Sequence, residues 1–126
     1  MPDTERVRQY IAMVAEGRYV DAIRAFYHPD ATIQENLKPP RVGVENHIAN
    51  EERAAANNRS IRTLPGTKWF VQGDDVAIHV VFEITGKDGA VKRLDEMSLQ
   101  RWVGDRIAEE RFFYDPAQLR NTRARP

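Results

Sequence analysis

The sequence predicts an α+β fold in which helices from the first half of the chain pack on a mostly antiparallel sheet from the second half. Apolar residues in the first half recur at helical spacing, whereas those in the second half alternate at strand spacing. Gly/Asp pairs, which are typical of turns between antiparallel neighbours, separate the strand-like runs. At 126 residues the chain suits one domain, expected over residues 1–126, with a frayed tail at 117–126.

Three helices are expected before residue 60. In the first, apolar residues fall at i, i+3, i+4 and i+7, namely Val7, Tyr10, Ile11 and Val14. The second is short, carries Tyr27 on its apolar side and is expected to stop at His28, because the residue before Pro29 avoids the helical region. A short strand over residues 31–36 follows, and a polar third helix spans residues 44–58.

Four strand-like runs follow, over residues 61–71, 76–85, 91–103 and 107–114. Pro65 and Gly66 are expected to break or bulge the first run. In the second run the even-numbered residues from Val76 to Ile84 are all apolar, so this face should point to the core. In the last two runs, alternation does not show which face of the strand points to the core. Their two partly apolar faces indicate a sheet covered on both sides, by a pocket and by a partner subunit.

Composition excludes several classes of function. Lys+Arg and Asp+Glu are 19 each, so no net field attracts nucleic acid or an anionic membrane. Cysteine is absent, and neither a signal peptide nor a membrane-spanning run is visible, so a cytoplasmic location is expected. The three histidines show no metal-ligand spacing. His47 is expected on the polar third helix and is given no functional role. No metal and no cofactor are implied.

Glu35, on the first strand, is a candidate acid–base residue. Glu35 shares a strand face with Ala31 and Ile33, and a carboxylate among core residues is desolvated, which raises its pKa. The functional interpretation is an acid–base role with a raised pKa. The structural alternative is that Glu35 sits at the strand end and pairs with Arg41 or Lys38.

Five stretches carry a family resemblance: residues 10–17 (YIAMVAEG), 26–33 (FYHPDATI), 39–43 (PPRVG), 104–107 (GDRI) and 113–116 (FYDP). Together they resemble the SnoaL-like and ketosteroid isomerase-like proteins of the nuclear transport factor 2-like superfamily, from about residue 7 to about residue 119. The resemblance implies a cone-shaped, half-open barrel around an apolar pocket, with three N-terminal helices on a curved sheet. One fold hosts many functions, so the site must be argued separately.

The resemblance also implies roles for single residues. Tyr10 matches the tyrosine that donates a hydrogen bond to the developing oxyanion, and Glu35 stands where the isomerases place an aspartate general base. Ser98 stands where they carry a protonated aspartate. The implied activity is proton transfer or isomerisation next to a carbonyl of a small hydrophobic substrate. The expected pocket lining is Val80, Phe82, Glu96, Gln100, Trp102, Glu110, Phe112 and Tyr114.

The resemblance also raises two other chemistries of the superfamily, epoxide hydrolysis and polyketide cyclisation. The positions that resemble the Asp-Arg-Asp set of limonene epoxide hydrolase are Val80, Phe82 and Phe112, all apolar, so epoxide hydrolysis is disfavoured. The polyketide-cyclase members depend on an acid deep in the pocket, and three residues could supply it: Glu35, Glu96 and Glu110. The remaining alternative is a non-catalytic domain that binds a small apolar ligand or dimerises.

A homodimer through the outer face of the sheet is also expected. With the even-numbered residues inside, six large apolar side chains would lie on that face: Val81, Met97, Leu99, Val103, Ile107 and Phe113. Such a patch is larger than monomers normally expose. Acidic residues and arginines are interspersed with these apolar side chains. In two copies related by a two-fold axis, the acids of one copy could pair with the arginines of the other. The third helix or the tail covering the patch within one chain is the alternative.

Overall fold

The computed structural model describes residues 1–120, and the end of the predicted frayed tail, residues 121–126, lies outside the described part. Within residues 116–119 the chain forms a 3-10 helix, so the part of that tail up to residue 119 has regular structure. The Asp115 side chain caps this helix by accepting a 2.9 Å hydrogen bond from the Ala117 amide.

Three α-helices lie in the first half of the chain: α1 (Thr4–Ala15), α2 (Tyr19–Phe26) and α3 (Val44–Asn57). The side chain of Asp3 caps α1 by accepting a 2.9 Å hydrogen bond from the Glu5 amide. After α1 the chain turns at Gly17, whose φ of 77° favours glycine. Over residues 1–120, none of the helices combines the length and apolar character required to cross a bilayer.

Seven strands within residues 1–120 form one sheet: β1 (Tyr27–Glu35), β2 (Arg41–Val42), β3 (Asn58–Thr63), β4 (Lys68–Gln72), β5 (Asp75–Gly86), β6 (Val91–Val103) and β7 (Arg106–Phe113). The order is β2-β1-β7-β6-β5-β3, and β4 also pairs with β5. Only β1 and β7 run parallel to each other among these pairs. Three helices on a strongly curled, mostly antiparallel sheet form a half-barrel, which confirms the predicted α+β fold class.

The boundaries differ from the prediction in two places. The single run expected over residues 61–71 is divided into β3 and β4, and the break contains Gly66 with a φ of 103°, as the Pro-Gly pair predicted. The second helix ends at Phe26, and Tyr27, expected on its apolar side, is the first residue of β1. The strand runs through Pro29, where the pairing of β1 with β7 is irregular, because proline has no amide hydrogen for a regular ladder.

One expected outer-face residue points inward. Arg101 is opposite Glu109 and Trp102 is opposite Ile107, so β7 carries one extra residue, Ala108, at a bulge. The bulge reverses which face the next side chain occupies, and Ile107 is therefore fully buried. The prediction that Ile107 belongs to the outer patch was wrong, because alternation within one strand cannot reveal a bulge.

The core lies between the helices and the inner face of the sheet. Trp102 is 1% exposed and packs edge-to-face against Tyr10 and Phe26, with ring centroids 6.4 and 6.5 Å apart. Val7 of α1 and Ile23 of α2 belong to the same core cluster. These contacts hold α1 and α2 against β6.

Candidate functional site

A cavity of about 220 Å³ lies between the helices and the inner face of the sheet. Its wall is mostly apolar, as is typical of small-molecule sites, and includes Val14, Ile23, Ile61, Phe82, Leu94 and Phe112. Besides tyrosines, six polar side chains from the described part of the chain border it: Glu35, Arg41, His47, Asn50, Glu51 and Glu96. The cavity therefore combines an apolar interior with a small set of titratable groups.

The Glu35 carboxylate is held by two donors. One guanidinium nitrogen of Arg41 donates to it in a close ion pair, and the Tyr114 hydroxyl donates to its other oxygen at 2.7 Å. Burial raises the pKa of Glu35, but the hydrogen bonds from Arg41 and Tyr114 outweigh burial and bring this pKa below its ordinary value. Glu35 is therefore ionised at neutral pH. The predicted raised pKa was wrong, because pairing with Arg41 competes with desolvation.

The pKa of Glu96 is shifted in the opposite direction from that of Glu35. It lies on the inner face of β6, is 6% exposed and borders the same cavity. Burial, and secondly repulsion from Glu110, raise the pKa of Glu96 to about 8. Its carboxyl group is therefore mainly protonated at neutral pH and can donate a hydrogen bond.

A buried hydrogen-bond network runs beside the cavity. The hydroxyls of Tyr10 and Tyr27 are 3.3 Å apart, and Tyr27 donates a short hydrogen bond to Glu110. The Gln100 amide donates to the other oxygen of Glu110 at 2.7 Å and accepts from the Trp102 indole at 3.1 Å. Burial raises the pKa of Glu110 to about 7, although the donors from Tyr27 and Gln100 oppose this rise. The network satisfies five polar groups that the core encloses.

The predicted site residues fall into two groups. Five border the cavity: Tyr10, Glu35, Phe82, Glu96 and Phe112. The others lie outside its lining: Val80, Ser98, Gln100, Trp102 and Glu110 are buried within the core, and Tyr114 reaches the site only through its hydrogen bond to Glu35. The structure therefore brings Tyr10, Glu35 and Glu96 to one space and leaves Ser98 apart from it.

Two titratable cavity residues of α3 were missed from the sequence. His47 is 2% exposed, and both His47 and Glu51 border the cavity from α3. Val44, His47, Ile48 and Glu51 fall at i, i+3, i+4 and i+7, which places them on one helix face. This spacing was available in the sequence, but it is visible only when polar residues are counted as candidates for the buried face.

The imidazole of His47 is enclosed by the site. Its ring centroid lies 5.4 Å from that of Tyr27 and 6.5 Å from that of Phe112, and its Nδ1 lies 3.4 Å from Nη2 of Arg41. Burial, and then the charge of Arg41, lower the pKa of His47 to about 4, against the opposing effect of Glu35. The ring is therefore neutral at physiological pH.

Comparisons with known proteins agree with this architecture. A candidate SnoaL-like polyketide cyclase from Jannaschia sp. CCS1 is 16% identical in sequence to this chain, with a TM-score of 0.77. The match covers 93% of this chain and 90% of that one. TerC, co-crystallised with polyporic acid, is 17% identical with a TM-score of 0.77, over 94% and 95% of the two chains. A Catenulispora acidiphila DSM 44928 protein with a ketosteroid isomerase-like fold, in complex with trimethylamine, is 20% identical with a TM-score of 0.75, over 91% and 88%.

At these identities the structures show a shared fold and nothing finer. A search of curated proteins finds no match. The model of the SnoaL-like domain family matches residues 7–110, which is most of the chain. The chain belongs to the SnoaL-like domain family of the nuclear transport factor 2-like superfamily.

Proposed function

We propose that this protein is an enzyme that moves a proton next to a carbonyl group of a small hydrophobic substrate. One observation carries the proposal: two carboxyl groups of the same apolar cavity have pKa values on opposite sides of neutrality. Glu35 is ionised and can accept a proton, whereas Glu96 is protonated and can donate a hydrogen bond. Groups whose environments drive their pKa values apart are the usual acid and base of such a site.

In the proposed reaction Glu35 removes a proton from the carbon beside the carbonyl. The C–H electron pair moves toward the carbonyl oxygen, and hydrogen bonds stabilise the charge that develops there. Glu96 and Tyr10 are the proposed donors. Glu96 takes the place that the resemblance assigned to Ser98, because Glu96 borders the cavity and Ser98 does not. Where the enolate is conjugated with a neighbouring C=C bond, return of the proton from Glu35 to the far carbon of that bond gives an isomer and restores the carboxylate.

The cavity limits the substrate. Its volume of about 220 Å³ is below the roughly 300–1,000 Å³ of common ligand pockets. A ligand of one or two rings fits this size better than a four-ring steroid. The apolar wall formed by residues such as Phe82 and Phe112 favours a hydrocarbon body with few polar groups.

The test uses 2-tetralone, a two-ring ketone with exchangeable protons beside its carbonyl. We expect the protein in D2O to incorporate deuterium at C1 faster than buffer alone, as measured by NMR. Glu35→Gln removes the proton acceptor and should abolish the excess rate, whereas Glu52→Gln, at an exposed position on α3, should keep it. Equal rates for wild type and Glu35→Gln would reject Glu35 as the base.

A non-catalytic binding domain is the second candidate, and a specific observation favours it. Arg41 and Tyr114 both hold Glu35, and the lowered pKa makes this carboxylate a weaker base than burial alone would make it. Binding of 2-tetralone without deuterium exchange above the buffer rate would select this candidate.

We also propose a homodimer through the outer face of the sheet. Large apolar side chains are exposed there, with Leu99 at 46%, Val103 at 53% and Phe113 at 40%. Arg101 and Glu109 form an exposed 3.0 Å ion pair on the same face, and similar charges from a second copy could meet them across a two-fold axis. Light scattering tests this proposal.

A further inference from the structure

The neutral imidazole of His47 has a defined protonation pattern. Guanidinium groups only donate hydrogen bonds, so Nδ1 of His47, 3.4 Å from Nη2 of Arg41, must be the acceptor. A neutral imidazole carries one proton, and with Nδ1 accepting, that proton is on Nε2. The charged groups that act on the ring are Arg41 and Glu35, and Arg41 is the one in contact with it. Glu51 borders the same cavity from α3.

The Nε2 of His47 opens to the cavity. Among residues 1–120, Arg41 Nε is the single side-chain nitrogen or oxygen that is both closed off and without a hydrogen-bond partner. Nε2 of His47 has no partner among these residues either, so it must contact open space. His47 is 2% exposed and borders the cavity, so this open space is the cavity itself.

We propose that His47 donates a hydrogen bond from Nε2 to the carbonyl or enol oxygen of the bound molecule, and that Arg41 positions the ring as this donor. The inference deepens the proposed function, on which it rests for the identity of the site. It assigns the ligand class: uncharged ketones, enols and phenols with one or two rings. A neutral donor suits a neutral oxygen, and the charge of Arg41 is already matched by Glu35.

The role of Arg41 can be tested without any ligand. In ¹⁵N–¹H correlation spectra we expect His47 to show a proton on Nε2 and a bare Nδ1 from pH 5 to pH 8. Arg41→Met should redistribute the proton between the two nitrogens, because the donor to Nδ1 is lost. A proton on Nδ1, or a ring that becomes charged above pH 6, would overturn the inference.

The donor role is tested with 2-naphthol, a stable analogue of the enol of 2-tetralone, against tetralin, which has a similar shape and no oxygen. One neutral hydrogen bond corresponds to an affinity change of about three- to tenfold. We expect His47→Phe to weaken 2-naphthol binding by that factor, measured by calorimetry, and to leave tetralin binding unchanged. His47→Gln, which keeps an N–H donor, should recover part of the loss.

The control Glu52→Gln should bind both compounds like wild type. Equal weakening of 2-naphthol and tetralin in His47→Phe would mean that the ring only shapes the wall, and this would overturn the inference. Absence of 2-naphthol binding by the wild-type protein would do the same. Binding does not depend on catalysis, so loss of the His47 effect and absence of deuterium exchange are separate results.

Discussion

Replacement of Glu96 by Gln should change how stability depends on pH. The pKa of Glu96 rises from 4.5 to about 8 on folding. Below pH 4.5 both states hold the proton. Between pH 4.5 and 8 the unfolded state loses it first, so stability falls as pH rises; above pH 8 both states are ionised and this contribution is constant.

The magnitude follows from that window. The interval between 4.5 and about 8, at roughly 1.4 kcal/mol per pH unit, corresponds to about 5 kcal/mol of stability lost across it. The nearby Glu110 has a pKa of about 7, so it contributes a further loss of stability as pH rises from 4.5 to about 7. The difference between wild type and Glu96→Gln isolates the Glu96 part, because Gln has a similar shape and does not titrate.

Urea unfolding at pH 5, 6, 7 and 8 measures the effect. We expect Glu96→Gln to gain stability relative to wild type at each step, by several kcal/mol between pH 5 and pH 8. Glu52→Gln, at an exposed position of α3, is the matched control and should follow the wild-type curve. Parallel curves for wild type and Glu96→Gln would mean that Glu96 is already ionised in the folded state at pH 5, against the raised pKa of this group.

Three further predictions concern the wall, the ion pair and the outer face. Phe82→Ala should cost less than about 3 kcal/mol by urea unfolding, because this side chain borders a cavity; a cost above 4 kcal/mol would mean that it is tightly packed. Arg41→Met should raise the pKa of Glu35 in an NMR titration and lower stability at neutral pH, by a difference that narrows below pH 4.5; an unchanged pKa would contradict the pairing. Light scattering should give twice 14.5 kDa for wild type and less for Leu99→Arg, whereas a wild-type monomer rejects the dimer.

The fold was largely predictable because it depends on repeated patterns. Helical spacing located α1, and alternation from Val76 to Ile84 identified the inner face of β5. The errors lie where one residue changes a pattern. The extra residue Ala108 in β7 turns Ile107 inward, and Tyr27 belongs to a strand that continues through Pro29. Both features depend on pairing with a distant strand, which local sequence does not encode.

The site was less predictable because it depends on which side chains meet. The sequence left two interpretations of Glu35 open, a desolvated acid and a partner of Arg41, and its pKa depends on the balance between them. Glu96 was one of three possible acids until its position on the cavity wall distinguished it from Glu110. His47 was missed because histidine on a polar helix is usually exposed, although it shares a helix face with Val44 and Ile48 and is 2% exposed in the structure.

At neutral pH Glu35 and Glu96, two carboxyl groups of one cavity, hold opposite protonation states. The most direct measurement is a ¹³C NMR titration of the glutamate carboxyl carbons, with Glu35→Gln and Glu96→Gln used to assign the two signals. The expected result is a midpoint below 4.5 for Glu35 and near 8 for Glu96. Midpoints that both lie near 4.5, or a midpoint for Glu35 above that of Glu96, would contradict it.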